Sequence, residues 1–469
     1  MKISLLHILI PLLVTSLHIG LCQEPVPVKE YNQRRQNLMA RLLHESIDSQ
    51  SRRPDGIVLL HARNIFANEE ELASHGFQQN PGFFYFTGLA KAVNAILALD
   101  CAKNESWLFV PADTDAVHKL LPAAFITPGK EAETRWQIDH IVRWDQLASF
   151  LDRRQQQGRL VLYVDDSYWI QPPRSNPPEL QPIADTPLLW RNALATRWPR
   201  AEIRSAREAI ARLRVTKSPA EIQIIRRVAG ASAAALLAGL KNIAPNKSQR
   251  EVEAEIVCEC IRAGAEGPSF WPWVMSGPNA VFPKPFESLV DYYHLNRRLE
   301  AGELVRVDVG CDVDFYKGDV GRTAPVSGRF AADQREAWNL LVEAYRAGIA
   351  AIRPGARHED IIVACRKAVE SERPRLRTPL GKEAATMLLN PDNRSVWHLH
   401  TSGLEPGEKA PVDVFTAGMV LEFEPMVALA GQAFYLEDMI LVTEAGCEIL
   451  SAGLPYTADE IEKTMSGNR

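Results

Sequence analysis

Apolar positions in the first part of the chain alternate between helical and strand-like spacing. Helical spacing over residues 31–43 predicts a helix. Short runs rich in branched and aromatic residues predict strands at residues 56–60, 83–86, 95–99, 107–110 and 160–164. Residues 171–187 are rich in Pro, Asn and Ser, which is typical of a loop. The pattern therefore predicts one α/β domain over residues 31–205.

A second unit, predicted over residues 212–455, opens with two helix-start signals. Ser218-Pro-Ala-Glu221 and Ser248-Gln-Arg-Glu251 both have the spacing of a capping box, and the first also has Pro at the first helical position. These signals predict helices that end near residues 240 and 264.

The second unit also contains a weak internal repeat. Residues 301–308 resemble residues 417–424, and the Ile-Ala-Pro beginning at Ile243 resembles the Ile-Arg-Pro beginning at Ile352. The two halves are therefore predicted to be copies of one helix-then-strand arrangement. In each copy the strand ends in a carboxylate.

The N-terminus has the pattern of a secretory signal over residues 1–22. Lys2 precedes an apolar stretch over residues 3–21, and Gly20-Leu-Cys22 offers a cleavage site before a polar segment. The mature protein is thus expected to be exported, either secreted or periplasmic, and an uncleaved anchor is the alternative. No later segment is expected to be long and apolar enough to span a bilayer.

Composition narrows the function classes. The 469 residues are 46% hydrophobic and 24% charged, which excludes a disordered, collagen-like or coiled-coil chain. A net charge of −5 gives no general attraction to nucleic acid or acidic membranes. The seven cysteines form no CxxC pair and are expected to be buried or incidental thiols. The sequence contains no phosphate loop and no Ser nucleophile elbow.

Four carboxylates lie in or beside apolar strand patterns. Asp308, Glu424 and Glu437 lie inside such runs, and Asp319 follows an expected turn at residues 316–318. Burying an unpaired carboxylate costs several kcal/mol or more, so such groups are paired or bind metal. Each half of the repeat therefore supplies two acids on adjacent strands.

His400 is the one candidate nitrogen ligand near these acids. Four carboxylates and an imidazole suit a pair of Mn²⁺, Co²⁺ or Zn²⁺ ions, which can share bridging carboxylates and activate one water. The alternative is that the acids form salt bridges with Arg297, Arg306 or Arg322. Two strand pairs related by a repeat favour the metal interpretation.

These residues lie in segments that resemble the pita-bread metallopeptidases, the group of methionine aminopeptidase, prolidase, creatinase and aminopeptidase P. The resemblance covers roughly residues 212–452. The matching segments are residues 214–221, 276–279, 307–310, 318–323, 400–403, 418–425 and 436–438. The fold it implies is a pseudo-twofold α/β domain, which agrees with the internal repeat.

The resemblance implies a site and an activity. The family's five metal positions correspond to Asp308, Asp319, His400, Glu424 and Glu437. Glu424 would also be the general base. Residues 33–38 and 77–88 resemble the creatinase-like α/β domain that precedes the catalytic domain in aminopeptidase P. The family member implied is a dinuclear Xaa-Pro aminopeptidase, usually with Mn²⁺, acting on peptides with proline in second position.

Several positions depart from the family pattern. Lys284 occupies the spacing of a substrate-side His, and His294 lies near the position counted back from the first metal Asp. Gly407 replaces a second His, and Tyr435 replaces the Arg two residues before the last metal Glu. His294 and His398 are therefore the candidate replacement catalytic residues.

The departures leave alternatives open. One is a prolidase-like or creatinase-like C–N hydrolase of the same fold. Another is a binding protein whose catalysis is impaired but whose metal ligands remain. The sequence does not determine the subunit count, and a homo-oligomer is compatible with it.

Overall fold

The computed structural model describes residues 26–47, 56–63, 77–111, 126–166, 186–287, 291–408 and 412–467. The predicted signal over residues 1–22 lies outside the described residues, as does the predicted loop up to residue 185. Over the described ranges the predicted order holds, with an α/β unit followed by a second unit built on its own sheet.

The N-terminal unit is a mixed six-stranded sheet with helices packed against it, followed by a connecting helix. Its strands have the order β4-β3-β2-β1-β5-β6. The strands are β1 Gly56–His61, β2 Ile96–Asp100, β3 Glu105–Val110, β4 His140–Arg143, β5 Val161–Val164 and β6 Glu202–Ser205. The helices are α1 Val28–Ile47, α2 Pro81–Thr87, α3 Lys130–Trp136, α4 Gln146–Gln157, α5 Thr186–Arg197 and the connecting α6 Arg207–Arg214.

The strand prediction at residues 83–86 was wrong, because this segment forms α2. The Asn80 side chain accepts a hydrogen bond from the Gly82 amide, and Pro81 occupies the first helical position. Gly88 ends the helix in the left-handed conformation, with φ of 69°. These local cap signals outweigh the β preference of the four aromatic residues, all of which are buried.

The second unit is built around a seven-stranded sheet, in which β16 pairs with β15 and the other six strands have the order β13-β14-β15-β12-β9-β8. A separate three-stranded sheet has the order β11-β10-β7. Its strands are β7 Gly267–Pro268, β8 Trp273–Ser276, β9 Leu304–Val309, β10 Cys311–Val313, β11 Tyr316–Lys317, β12 Val320–Pro325, β13 Trp397–Thr401, β14 Val420–Leu429, β15 Gln432–Val442 and β16 Cys447–Ile449. Its helices are α7 Pro219–Asn242, α8 Gln249–Arg262, α9 Lys284–Glu287, α10 Tyr292–Leu295, α11 Ala332–Ala351, α12 His358–Glu372, α13 Pro379–Leu389 and α14 Ala458–Ser466.

The sheet order matches the predicted internal repeat. β12 and β15 pair at its centre, β9 and β14 lie outside them, and β8 and β13 follow on either side. The preceding helices repeat as well. Ile243 follows the end of α7 and Ile352 follows the end of α11, and both of these cap residues are extended. The expected turn at residues 316–318 lies two residues earlier, at Asp314 and Phe315, which both have positive φ.

Both predicted capping boxes are present. Ser218 and Glu221 close the start of α7, and Ser248 and Glu251 close the start of α8. By length and composition α7 could cross a bilayer, contrary to the expectation from sequence. Half of its most apolar window is buried inside the protein, as in the core helix of a globular domain.

Buried polar contacts join the two units. Arg34 on α1 forms an ion pair with Glu221 at 3.0 Å, and Tyr316 donates to the same carboxylate at 2.9 Å. Tyr85 on α2 donates to the Leu213 carbonyl at 2.7 Å. The predicted motif over residues 33–38 thus contributes a side chain to the domain junction, which holds the N-terminal unit beside the second sheet.

The expectation for the cysteines was wrong for one pair. Cys260 on α8 and Cys311 on β10 form a disulfide with Cα atoms 5.7 Å apart. Sequence spacing gave no sign of this pair, because the two residues lie 51 positions apart. Among the other described cysteines, Cys101 and Cys365 are buried thiols.

Candidate metal centre

Strand register brings two predicted ligands into one row. Gly321 on β12 lies opposite Asp308 on β9 and opposite Glu437 on β15. Asp319 immediately precedes β12, whose first residue, Val320, lies opposite Val309 on β9. Because paired residues on neighbouring strands share a face, these acids converge on one side of the sheet.

The other two predicted ligands come from β13 and β14. His400 Nε2 lies 3.4 Å from Glu424 Oε1, 3.7 Å from Glu437 Oε1 and 3.9 Å from Asp319 Oδ2. Two groups of possible ligand atoms each fit within 4.8 Å: Asp319, His400 and Glu437, and His398, His400 and Glu424. The structure thus gathers Asp319, Glu424 and Glu437 around His400, and strand register places the fifth predicted ligand, Asp308, on the same face of the sheet.

The burial, unpaired oxygens and raised pKa values of these carboxyl groups are compatible with bound divalent cations. Asp319 Oδ1 and Glu437 Oε1 are buried and have no hydrogen-bond partner among the described residues. Burial and the neighbouring acids raise the pKa of Asp319 and Glu437 well above the usual range. Burial also raises the pKa of Asp308. Buried acids that repel one another and retain unpaired oxygens are the arrangement that bound cations stabilise. The residues present therefore fit a pair of divalent ions.

Salt bridges to arginine account for only one of the five predicted ligands among the described residues. Arg306 donates to Asp308 Oδ2 at 2.6 Å. Arg322 instead pairs with Asp438 at 3.0 Å, and Arg297 pairs with Glu300 and Glu303. The salt-bridge alternative thus leaves Asp319, His400, Glu424 and Glu437 unexplained.

Tyr435 is a site residue whose role the sequence did not indicate. Its hydroxyl lies 3.2 Å from Glu424 Oε2 and also contacts Glu437 Oε2, and its single proton is donated to one of them at a time. Its ring occupies the space above Gly321, where an added Cβ atom would lie 2.0 Å from Tyr435 Cε1. The missing side chain at Gly321 therefore allows the tyrosine to reach both carboxylates.

The structure places the two candidate replacement histidines differently relative to the predicted ligands. His398 lies opposite Glu424, and its Nδ1 contacts Glu424 Oε1. This hydrogen bond raises the pKa of His398. His294 does not take part in this contact: its side chain is 85% exposed, and its Nδ1 contacts Asp291, the residue that precedes its short helix. Lys284 is likewise on the surface side, paired with Glu287 at 2.6 Å.

Glu422 is a buried acid that the sequence analysis passed over. It lies opposite His400, two residues before Glu424 on the same face of β14, and it is completely buried. Ser402 donates to its Oε1, while its Oε2 has no hydrogen-bond partner among the described residues. Burial raises its pKa well above the usual range.

The segment after His400 is held in place by Glu408, the residue that follows Gly407. Glu408 is buried and pairs with Arg214 at 2.6 Å and Lys217 at 2.9 Å. Its backbone also bonds Thr401 on β13. Gly407 itself has open space where a side chain would begin and lacks a positive φ. The loop is thus held by ion pairs to the start of the second unit.

Glu408→Gln is expected to destabilise the protein in a pH-dependent way. Burial opposes ionisation, but Arg214 and Lys217 outweigh it and lower the pKa of Glu408 from 4.5 to about 2. The ionised form therefore stabilises the fold by roughly 3 kcal/mol above pH 4.5, and this contribution is lost as the pH falls toward 2. Denaturant unfolding of wild type and variant at about pH 7 and pH 3 measures it. A stability difference that is independent of pH would contradict the assignment.

A cleft of about 470 Å³ lies between the two units. Gln78 and Phe84 from the N-terminal unit line it, together with Trp271 and Lys317. Glu405, in the loop that follows His400, lines it as well. The N-terminal unit therefore shares a cleft with the loop that follows His400.

Two family models match the chain. Residues 223–444 match metallopeptidase family M24, and residues 31–163 match the aminopeptidase P N-terminal domain. All five predicted ligands fall within the first match. The chain belongs to the aminopeptidase P group of metallopeptidase family M24. It is accordingly a metallopeptidase, and the predicted fold class is confirmed.

Curated relatives extend along almost the whole chain. It is 24% identical over 467 residues to a Haemophilus influenzae protein named Xaa-Pro aminopeptidase, covering 94% of this chain and 98% of the relative. An Escherichia coli Xaa-Pro aminopeptidase is 25% identical over 466 residues, with the same shares covered. Mouse Xaa-Pro aminopeptidase 3 is 24% identical over 459 residues, covering 93% of this chain and 86% of the relative.

Solved structures agree on the fold. A putative aminopeptidase P from Bacillus anthracis has a TM-score of 0.73 at 22% identity, covering 95% of this chain and 99% of the other. Escherichia coli aminopeptidase P, solved with the inhibitor Pro-Leu, has a TM-score of 0.72 at 24% identity, covering 95% and 100%. The two-unit architecture is therefore that of known aminopeptidase P structures.

Proposed function

We propose that this protein is an Xaa-Pro aminopeptidase that uses two divalent ions, with Mn²⁺ as the metal. The observation that carries the proposal is the convergence of four carboxylates and His400 on one face of the second sheet. Relatives that match nearly the full chain carry the name of this activity. The substrates are peptides with proline in second position.

Asp308, Asp319, His400, Glu424 and Glu437 would hold the ions. Two bound divalent ions supply Lewis-acid polarisation of the scissile carbonyl and lower the pKa of water. Burial opposes ionisation of Glu424, but hydrogen bonds from His398 and His400 outweigh it and lower its pKa below the usual range. Glu424 is thus ionised at neutral pH and able to accept a proton. Tyr435 fixes its second oxygen.

His398 has the geometry of a replacement for the missing family histidine. It contacts Glu424 and is more than half exposed, so it can exchange protons with solvent. A positioned acid–base group of this kind contributes roughly 10²–10⁴-fold to the rate. This observation favours a working enzyme over a binding protein that has kept its ligands.

The activity is tested with purified protein, saturating Mn²⁺ and a small peptide panel. Release of the first residue from an Xaa-Pro-Yaa tripeptide is expected, and a matched Xaa-Ala-Yaa tripeptide is the control. Activity on dipeptides alone would favour the prolidase alternative. Cleavage inside a long, N-blocked peptide would contradict an exopeptidase, and no turnover on any peptide would favour a binding protein.

His398→Ala is expected to lower kcat/KM by roughly 10²-fold, the lower end of what a positioned acid–base group contributes, while leaving KM and metal content close to wild type. The physical reason is that His398 contacts Glu424, the proposed general base, but is not itself one of the five predicted ligands. His294→Ala, on the exposed helix, is the control and should match wild type. If both variants behave alike, no compensation occurs at His398. Gly407→His should fold, since the backbone there accepts a side chain.

We also propose that the protein is exported. The disulfide between Cys260 and Cys311 supports this, because such bonds persist mainly in oxidising compartments. N-terminal sequencing of protein collected outside the cytoplasm of an export-competent host is the test. The expected first residue is Gln23, and an intact Met1 would contradict cleavage.

A further inference from the structure

One buried cation borders the acidic cluster. Arg306 is on β9, two residues before Asp308 and on the same face, and its side chain is 3% exposed. Only its Nη2 atom donates to Asp308. Its Nε and Nη1 atoms are buried and have no hydrogen-bond partner among the described residues. Unpaired donors on a buried charge are costly, so a ligand oxygen that satisfies them binds favourably.

Aromatic rings surround this guanidinium. Its Cζ lies 4.1 Å from the Tyr435 ring centroid, 5.6 Å from that of Trp273 and 5.9 Å from that of Phe282. Trp273 on β8 lies opposite Asp308 in the sheet. Phe282 is 40% exposed and packs against the exposed Phe286. The rings therefore form an apolar wall that runs from the metal ligands to the protein surface.

The position of Arg306 predicts in which direction a peptide binds across the site. His398 and His400 lie on β13 at one side of the cluster, and Arg306 lies on β9 at the other, with β14, β15 and β12 between them. A peptide carries a positive ammonium group at its first residue, which Arg306 repels. The residues that follow the scissile bond carry carbonyl or carboxylate oxygens, which Arg306 attracts.

We propose that Arg306, within the wall of Trp273, Phe282 and Tyr435, binds the substrate oxygen on the leaving-group side of the scissile bond. In a dipeptide this oxygen belongs to the terminal carboxylate, and in a longer peptide it is the corresponding main-chain carbonyl. The proline ring or another apolar side chain would lie against the aromatic rings. This inference rests on the proposed function and adds a substrate-binding residue to the same site.

The test compares Arg306→Met and Arg306→Lys with wild type, each with saturating Mn²⁺. An Xaa-Pro dipeptide and an Xaa-Pro-Yaa tripeptide with the same first residue separate the two oxygen sources. Arg306→Met is expected to raise KM roughly tenfold or more, and more for the dipeptide, because a charged hydrogen bond is lost. Arg306→Lys should recover part of the loss. Manganese content, measured by elemental analysis, should stay unchanged.

Arg297→Met is the control, since Arg297 pairs with Glu300 and Glu303 away from the ligands. Unchanged KM for both substrates in Arg306→Met, or a loss that only follows lost manganese, would reduce Arg306 to a structural partner of Asp308. If Arg306→Met does not fold, Arg306→Lys alone decides by the same KM criterion.

A failure of the proposed function is distinguished by wild type itself. If wild type cleaves neither substrate, binding of the same dipeptide to the Mn²⁺-loaded protein is measured by calorimetry. Weaker binding by Arg306→Met would still support the assignment, whereas equal affinity would overturn it.

Discussion

Glu424→Ala is expected to nearly abolish peptide hydrolysis, with kcat/KM falling by at least about 10³-fold. The substitution removes a side chain that meets His398, His400 and Tyr435 at once, and it takes away both a metal ligand and the proposed proton acceptor. Glu424→Gln separates the two roles, because it keeps the length and one oxygen but accepts no proton. Kinetics on one Xaa-Pro tripeptide, with metal content measured in parallel, provide the test.

Glu422→Gln is the matched control for this experiment. The same chemical change is made two residues earlier on the same face of the same strand, at a completely buried carboxyl outside the five ligands. A much smaller loss is expected there. If Glu424→Gln retained most of its activity with full metal content, another group would have to accept the proton.

Asp308→Ala is expected to reduce metal content, activity and stability together. It removes one predicted ligand and leaves Arg306 buried without its carboxylate partner. Breaking a buried pair in this way costs roughly 3–5 kcal/mol. Elemental analysis, kcat and denaturant unfolding should therefore all change in the same variant.

Asp312→Ala provides the control for Asp308→Ala. Asp312 is equally buried and pairs with Lys317, but this pair lies on the hairpin of β10 and β11. The variant should lose stability without losing metal. Full metal occupancy in Asp308→Ala would contradict the assignment of this residue as a ligand.

Local patterns determined much of the fold. The capping boxes of α7 and α8, four of the six strands of the N-terminal sheet (β1, β2, β3 and β5) and the repeat of the second unit were predicted from sequence patterns, whereas β4 and β6 were not. The same sequence rules failed at residues 83–86, where aromatic content suggested a strand. The decisive signals there were Asn80, Pro81 and Gly88 at the two ends of the helix.

The five predicted ligands could be read from the sequence because each is a polar residue in an apolar pattern, supported by the family resemblance. A charged residue inside an apolar run can be recognised from the sequence alone, since a buried charge must have a partner. Their convergence was implied by the repeat, and the register of β9, β12 and β15 accounts for it.

The surroundings of the ligands were decided only by the tertiary structure. Tyr435 reaches two carboxylates because Gly321, on the neighbouring strand, leaves room for its ring. Arg306 gains its aromatic wall from strands and loops far away along the chain. Glu408 is fixed by Arg214, which lies 194 residues earlier. Local spacing predicts which side chains point into a site, but which distant residues meet them depends on how the strands pair and pack.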